Sequence, residues 1–173
     1  MRYCSMFSLA LLSTVALHAQ SPLLAELKQN YTGIKNNLLK AADAMPDADY
    51  SFKPTPQIRS FGEGIAHVAD TQLTLCGLAK GEQKRGNAAS KTSKADLAAA
   101  LKESFDYCDG VYDGLTDSAL TETVRMFGRD RTKFGALDFN VIHDNEMYGY
   151  LSVYLRLKSV VPPSTAGRGM QKK

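Results

Sequence analysis

The sequence predicts an all-α fold, a four-helix bundle with long inter-helix loops, and three observations predict it. Four segments repeat apolar residues at alternating steps of three and four, the period of a helix with one buried face. Each segment carries a recognisable start or stop signal. No segment alternates convincingly in the manner of a strand, and 173 residues suffice for one compact core but not comfortably for two.

The first helix opens at Ser21-Pro22, an N-cap followed by proline at the first helical position. Leu24, Leu27, Tyr31, Ile34 and Leu38 form its inward stripe, and it ends near Met45-Pro46. Pro46, Pro54 and Pro56 make residues 46–59 a connection that cannot be regular helix. Ser60 and Glu63 read as a capping box for the second helix. Its stripe is Phe61, Ile65, Val68, Gln72, Leu75, Cys76 and Ala79, and Gly81 stops it before a polar loop at 82–92. Ser93 and Asp96 cap the third helix, with Leu97, Leu101, Phe105, Cys108, Tyr112 and Leu115 inward. Residues 116–134 are mixed: Thr121 to Phe127 reads as extended and Gly128 to Arg131 as a turn. The fourth helix runs from about Gly135 to Lys158, with Leu137, Val141, Ile142, Leu151 and Leu155 inward, and Pro162-Pro163 ends it. The loops exceed what a minimal up-down bundle needs, so one or two are expected to cross an end of it.

Residues 1–19 stand apart. Arg2 precedes an interrupted apolar run from Met6 to Ala19, too short to span a bilayer and proportioned as a secretory signal peptide. The expected organisation is a signal peptide at 1–19, one helical domain at 20–165 and a disordered tail at 166–173, in an exported protein without a stable membrane anchor. The net charge of +3 is small, and its signs are mixed along the chain. A basic stripe able to displace phosphate counterions is missing from the sequence, which disfavours nucleic acid as a partner.

Without residues 1–19 the chain has two histidines, His67 and His143. His143 and position 147 stand one turn apart on the fourth helix and point the same way, as two ligands of one metal ion do. His67 sits on the second helix beside its apolar stripe, where a groove-lining group belongs.

Two stretches together, Arg59-Ser60-Phe61-Gly62-Glu63 leading into Ile65-Ala66-His67-Val68-Ala69, and His143-Asp144-Asn145-Glu146 with Tyr148-Gly149, resemble the DinB-like superfamily. Leu151 to Lys158 and the closing Val161-Pro162-Pro163-Ser164 extend the resemblance over about residues 22–165. The resemblance implies a four-helix bundle, often a homodimer, with a divalent metal such as zinc or nickel held by three histidines. The characterised relatives include thiol-dependent transferases and isomerases, and the resemblance alone does not say whether this chain is an enzyme.

His67 and His143 match two of the three ligand positions, and Met147 stands at the third. A thioether is soft and uncharged, a poor partner for zinc or nickel and an acceptable one for Cu(I). Three states are therefore open: a divalent site completed by a carboxylate or water, an empty or weakly filled site, and a copper site using Met147. Asp144 and Glu146 point to either side of the ligand face, and Glu63, one turn before His67, is the best-placed carboxylate.

Cys76 and Cys108 lie on inward stripes of consecutive helices, either as a disulfide or as two buried thiols. Tyr150 and Tyr154, near the His143 turn, are candidate pocket residues beside Glu63 for a small-molecule ligand of unassigned identity. Arg59 and Arg156 are candidate carboxylate binders, a plain surface role being the commoner alternative.

Overall fold

The computed structural model describes residues 21–166, so the signal peptide read at 1–19 and the tail beyond Ala166 lie outside the described residues. Four long helices carry the fold: α1 (Pro22–Ala44), α2 (Phe61–Lys80), α3 (Lys94–Asp113) and α4 (Lys133–Leu157). A two-stranded hairpin, β1 (Thr123–Met126) and β2 (Arg129–Thr132), precedes α4, and a single turn, α5 (Pro163–Ala166), follows it. Among the described residues no helix is long and apolar enough to cross a membrane.

The caps form as their chemistry requires. The hydroxyls of Ser21, Ser60 and Ser93 accept from the backbone N–H groups of Leu24, Glu63 and Asp96. At Ser60 the box is reciprocal, since the Glu63 carboxylate accepts from the Ser60 N–H at 2.7 Å. Gly81 closes α2 in the left-handed conformation at φ 82°, a position that favours glycine.

Each of α1 and α2 packs against both α3 and α4. The directions follow from the contacts. Gly62 of α2 approaches Leu97 and Cys76 is joined to Cys108, so α2 and α3 run parallel. Gly64 lies beside Leu151 and His67 beside His143, so α2 and α4 run antiparallel. Tyr31 bonds to Asp109 while Lys94 bonds to the Asp43 carbonyl, so α1 and α3 are antiparallel as well. The order is up-down-down-up, and it explains the long loops. The 45–60 connection crosses one end of the bundle, and the segment after Gly81 returns along the side of α2 to begin α3.

That returning loop is held to α2 by Asp70, whose carboxylate accepts from the N–H groups of Ala88 and Ala89 at 2.8 and 3.1 Å. Gly86 passes so close that a Cβ there would fall on the Asp70 carboxylate. Gly86→Ala should therefore detach the loop and cost about 1–2 kcal/mol, the scale of a lost buried hydrogen bond. Urea unfolding measures the loss and hydrogen exchange at Ala88 locates it; unchanged protection of that amide would contradict this picture.

Two sequence expectations are corrected here. Within residues 116–134 the extended stretch expected at Thr121 to Phe127 forms as β1 over Thr123–Met126, but Gly128 to Arg131 is not the turn. The turn is Phe127-Gly128, both at positive φ (49° and 77°), and Arg129–Thr132 is the second strand, paired Met126↔Arg129 through Thr123↔Thr132. Phenylalanine is an unusual occupant of that turn, and its ring packs edge-on against Phe139 with centroids 6.2 Å apart. Met126 tucks under the hairpin against Leu75 and Ala136. Consequently α4 starts at Lys133, capped by Thr132, two residues before the expected start.

The second correction concerns the α4 stripe. Ile142 is exposed, whereas Asn140 and Asp144 are completely buried between Leu137, Val141, Tyr148 and Leu151. The chain after Pro162 also keeps structure for one turn, where the Ser164 N–H donates to the Tyr148 hydroxyl at 2.8 Å.

Candidate metal centre and adjoining cavity

His67 comes from the second turn of α2 and His143 from the middle of α4, and the antiparallel packing of the two helices points the rings at each other. Their Nε2 atoms lie 3.2 Å apart, with ring centroids 5.1 Å apart and planes inclined at 67°. Two imidazole nitrogens each about 2.0–2.1 Å from one zinc ion are about 3.2 Å apart when the angle at the metal is about 100°. An N–H···N hydrogen bond gives a similar separation. The geometry thus fits either a shared ion or a shared proton.

Electrostatics favour an uncharged His67 ring. His67 titrates below the usual histidine range, chiefly because burial penalises the imidazolium and further because Arg59 and His143 stand nearby. A neutral imidazole is the form that binds a metal.

Behind His143, its Nδ1 faces the Asp144 Oδ1 at 3.4 Å, a loose contact. A carboxylate on the far nitrogen of a histidine fixes the ring and turns the near nitrogen outward. Asp144 is wholly buried and its Oδ2 has no protein partner; the same is true of the Asn140 Oδ1 and of both amide atoms of Gln72. The helix register sets Gln72 level with Asn140, so a polar seam runs inward from the histidine pair. Such atoms cost roughly 1–3 kcal/mol each, which marks the seam as something other than a packing device.

Burial pushes the Asp144 carboxyl up to about 6 from 3.8, against the opposing pull of His143. A carboxyl raised in the folded state holds its proton more tightly there than in the unfolded chain. Its contribution is therefore most favourable below pH 3.8 and is lost as pH rises through about 6. At pH 7 the penalty is roughly 2–3 kcal/mol. Asp144→Asn, unfolded by urea in the presence of a chelator, should gain about 2 kcal/mol at neutral pH and almost nothing near pH 4. Loss of stability at neutral pH would contradict the assignment of Asp144 as an unpaired buried charge.

Among the described residues no cluster of three or more His, Cys, Asp or Glu side chains is gathered to hold a metal. Glu63 is engaged as the cap of α2 and pairs with Lys53 at 2.9 Å, so its carboxylate reaches back to Ser60. Met147 is buried, and its methyl lies 3.9 Å from where a Cβ on Gly64 would stand. The residues present fit a divalent ion with two imidazoles and offer only a thioether on the third position.

Two cavities lie beside the α2–α4 seam, the smaller against His67, and they share the wall Gln57-Ile58-Arg59. The smaller, about 560 Å3, contains His67, Glu63, Asp70, Lys53 and Lys91. The larger, about 750 Å3, is lined by Met147, Leu151, Val153, Tyr150 and Tyr154 with Gly64 at its floor. Tyr150 and Tyr154 thus face the second cavity, and their hydroxyls are engaged, Tyr150 with Glu146 at 3.1 Å and Tyr154 with the Arg59 carbonyl at 2.9 Å. Sequence reasoning missed Asp144, Asn140 and Asp70 as parts of the surroundings. A stripe of three-and-four steps through Leu137, Asp144, Leu151 and Leu155 would have shown Asp144 facing inward.

Cys76 and Cys108 are joined as a disulfide, with Cα atoms 5.5 Å apart, on the α2–α3 seam.

Residues 31–151 match the family model of the DinB superfamily. A DinB-like protein from Bacillus cereus ATCC 10987 superposes with a TM-score of 0.70 at 20% identity, covering 80% of this chain and 95% of that one. A DinB-like protein from Bacillus subtilis gives a TM-score of 0.65 at 23% identity, with 78% and 92% covered. A mycothiol-dependent maleylpyruvate isomerase gives a TM-score of 0.59 at 17% identity, with 72% of this chain covered and 60% of the isomerase. These likenesses concern the fold. Among curated proteins none matches this sequence.

Proposed function

Since this chain belongs to the DinB superfamily, we propose that it is an exported member of it in which His67 and His143 hold one divalent ion, zinc or nickel, beside a small-molecule cavity. The observation that carries this reading is the 3.2 Å approach of the two Nε2 atoms. The depressed titration of His67 supports it, as does the buried carboxylate behind His143. A divalent ion there would supply Lewis acidity and lower the pKa of a bound thiol or water, which suits thiol transfer or hydrolysis. The mycothiol dependence of the isomerase with the similar fold favours the thiol branch. The chain's own part is to hold the His67 imidazole neutral, to fix the His143 ring through Asp144, and to enclose the ligand between α2, α4 and the 45–60 connection. The Cys76–Cys108 disulfide supports export, because such bonds persist in oxidising compartments.

Met147 favours a second reading, a non-catalytic binding protein in which the histidines share a hydrogen bond and no metal. Elemental analysis of the protein, purified without a histidine tag, separates the two. Zinc or nickel near one per chain is expected. No retained metal after exposure to excess divalent ions overturns the metalloenzyme in favour of the binding protein, and retention of Cu(I) alone assigns Met147 as a third donor.

A further inference from the structure

The larger cavity has a feature the metal reading leaves unused. Its wall is apolar, and Ile58 (41% exposed) and Val153 (54%) stand at its mouth with large side chains in water. The hydroxyl groups around it are already committed. The Ser60 hydroxyl caps α2, and the Tyr150 and Tyr154 hydroxyls have the partners given above. Arg59 differs. It lies on the wall common to both cavities, its charge is felt by His67 on one side and Tyr154 on the other, and among the described residues it forms no ion pair.

We propose that this cavity binds a small amphipathic carboxylate, with the anion on Arg59 and the apolar body against Ile58, Met147, Leu151, Val153 and Tyr154. The volume, about 750 Å3, is that of a site for one small organic ligand. A planar guanidinium matches a carboxylate through two parallel hydrogen bonds. A phosphate would need further donors, and the nearest helix N-terminus is occupied by its own Ser60–Glu63 box. Met147 contributes too. Where a histidine would bring a polar ring, the thioether gives a flexible apolar surface that adapts to the body of a ligand.

This inference deepens the proposed site, whose cavity it shares, but it does not require the metal. The test is calorimetric titration of the chelator-treated protein with octanoate, with octanol as the uncharged probe. Octanoate is expected to bind once per chain and about tenfold more tightly than octanol, the scale of one charge-assisted contact. Arg59→Gln should erase that preference while leaving octanol binding in place. Val153→Glu, at an exposed position that folding tolerates, should abolish octanoate binding. Equal affinity for the two probes, a preference that survives Arg59→Gln, or no saturable binding would each overturn the proposal. So would octanoate binding that appears only with added zinc, since the anion would then sit on the metal. The double variant His67→Ala/His143→Ala should bind octanoate as the parent does. If it does while the parent takes up no metal, the metalloenzyme reading falls and the carboxylate site stands.

Discussion

Met147→His should raise zinc affinity by on the order of 100-fold, the increment of adding a third imidazole to two. The position is one turn from His143, so its side chain projects to the same face. Met147 is buried over Gly64, one turn before His67 on α2, and a new ring would take the volume that Met147 vacates, because Leu151 already lies 3.0 Å from where a Gly64 Cβ would stand. Competition titration against a zinc chelator gives the ratio. Equal affinities in parent and variant would show that the third position no longer faces the histidine pair.

Removing the disulfide should produce the largest loss of stability. Cys76 and Cys108 are 32 residues apart, and the chain-entropy estimate for closing such a loop is about 3–4 kcal/mol. The bond joins the parallel helices α2 and α3, whose connection is the loop that runs back along α2. The double variant Cys76→Ser/Cys108→Ser should therefore lower the unfolding free energy from urea titration by that amount, and reduction of the parent should give the same result. A change below about 1 kcal/mol would mean that α2 and α3 hold together without the covalent tie and that the unfolded chain is little constrained by it.

Much of the bundle is legible in the sequence because its helices are locally specified. Ser21-Pro22, Ser60 with Glu63, Gly81 and Ser93 each set a boundary through hydrogen bonds made within one turn. The inward stripes of α1, α2 and α3 are regular, and every member expected to be buried is buried. The fourth helix departs from this because its buried face carries Asn140 and Asp144, which interrupt the apolar pattern that marks such a face. Ile142, assigned inward for its apolarity, is exposed one position away. The hairpin turn is not legible in the sequence because Phe127 occupies a left-handed position that ordinarily calls for Asn or Gly. The up-down-down-up order is likewise set by tertiary contacts, which no local signal encodes.

The site divides in the same way. His67 and His143 are legible as residues, and the sequence pattern points to them; their mutual distance depends on the α2–α4 register. The role of Tyr154 depends on tertiary position, whereas that of Glu63 is the local capping box. Glu63 turns back to cap its own helix, and Tyr154 spends its hydroxyl on the Arg59 carbonyl. Neither engagement can be read from spacing to the histidines.

X-ray absorption at the metal edge of the zinc-loaded protein tests the central claim most directly. The account predicts two imidazole nitrogens at about 2.0–2.1 Å with oxygen donors completing the shell, and loss of the zinc in His67→Ala/His143→Ala. A zinc shell without imidazole, or one unchanged in that double variant, would contradict it.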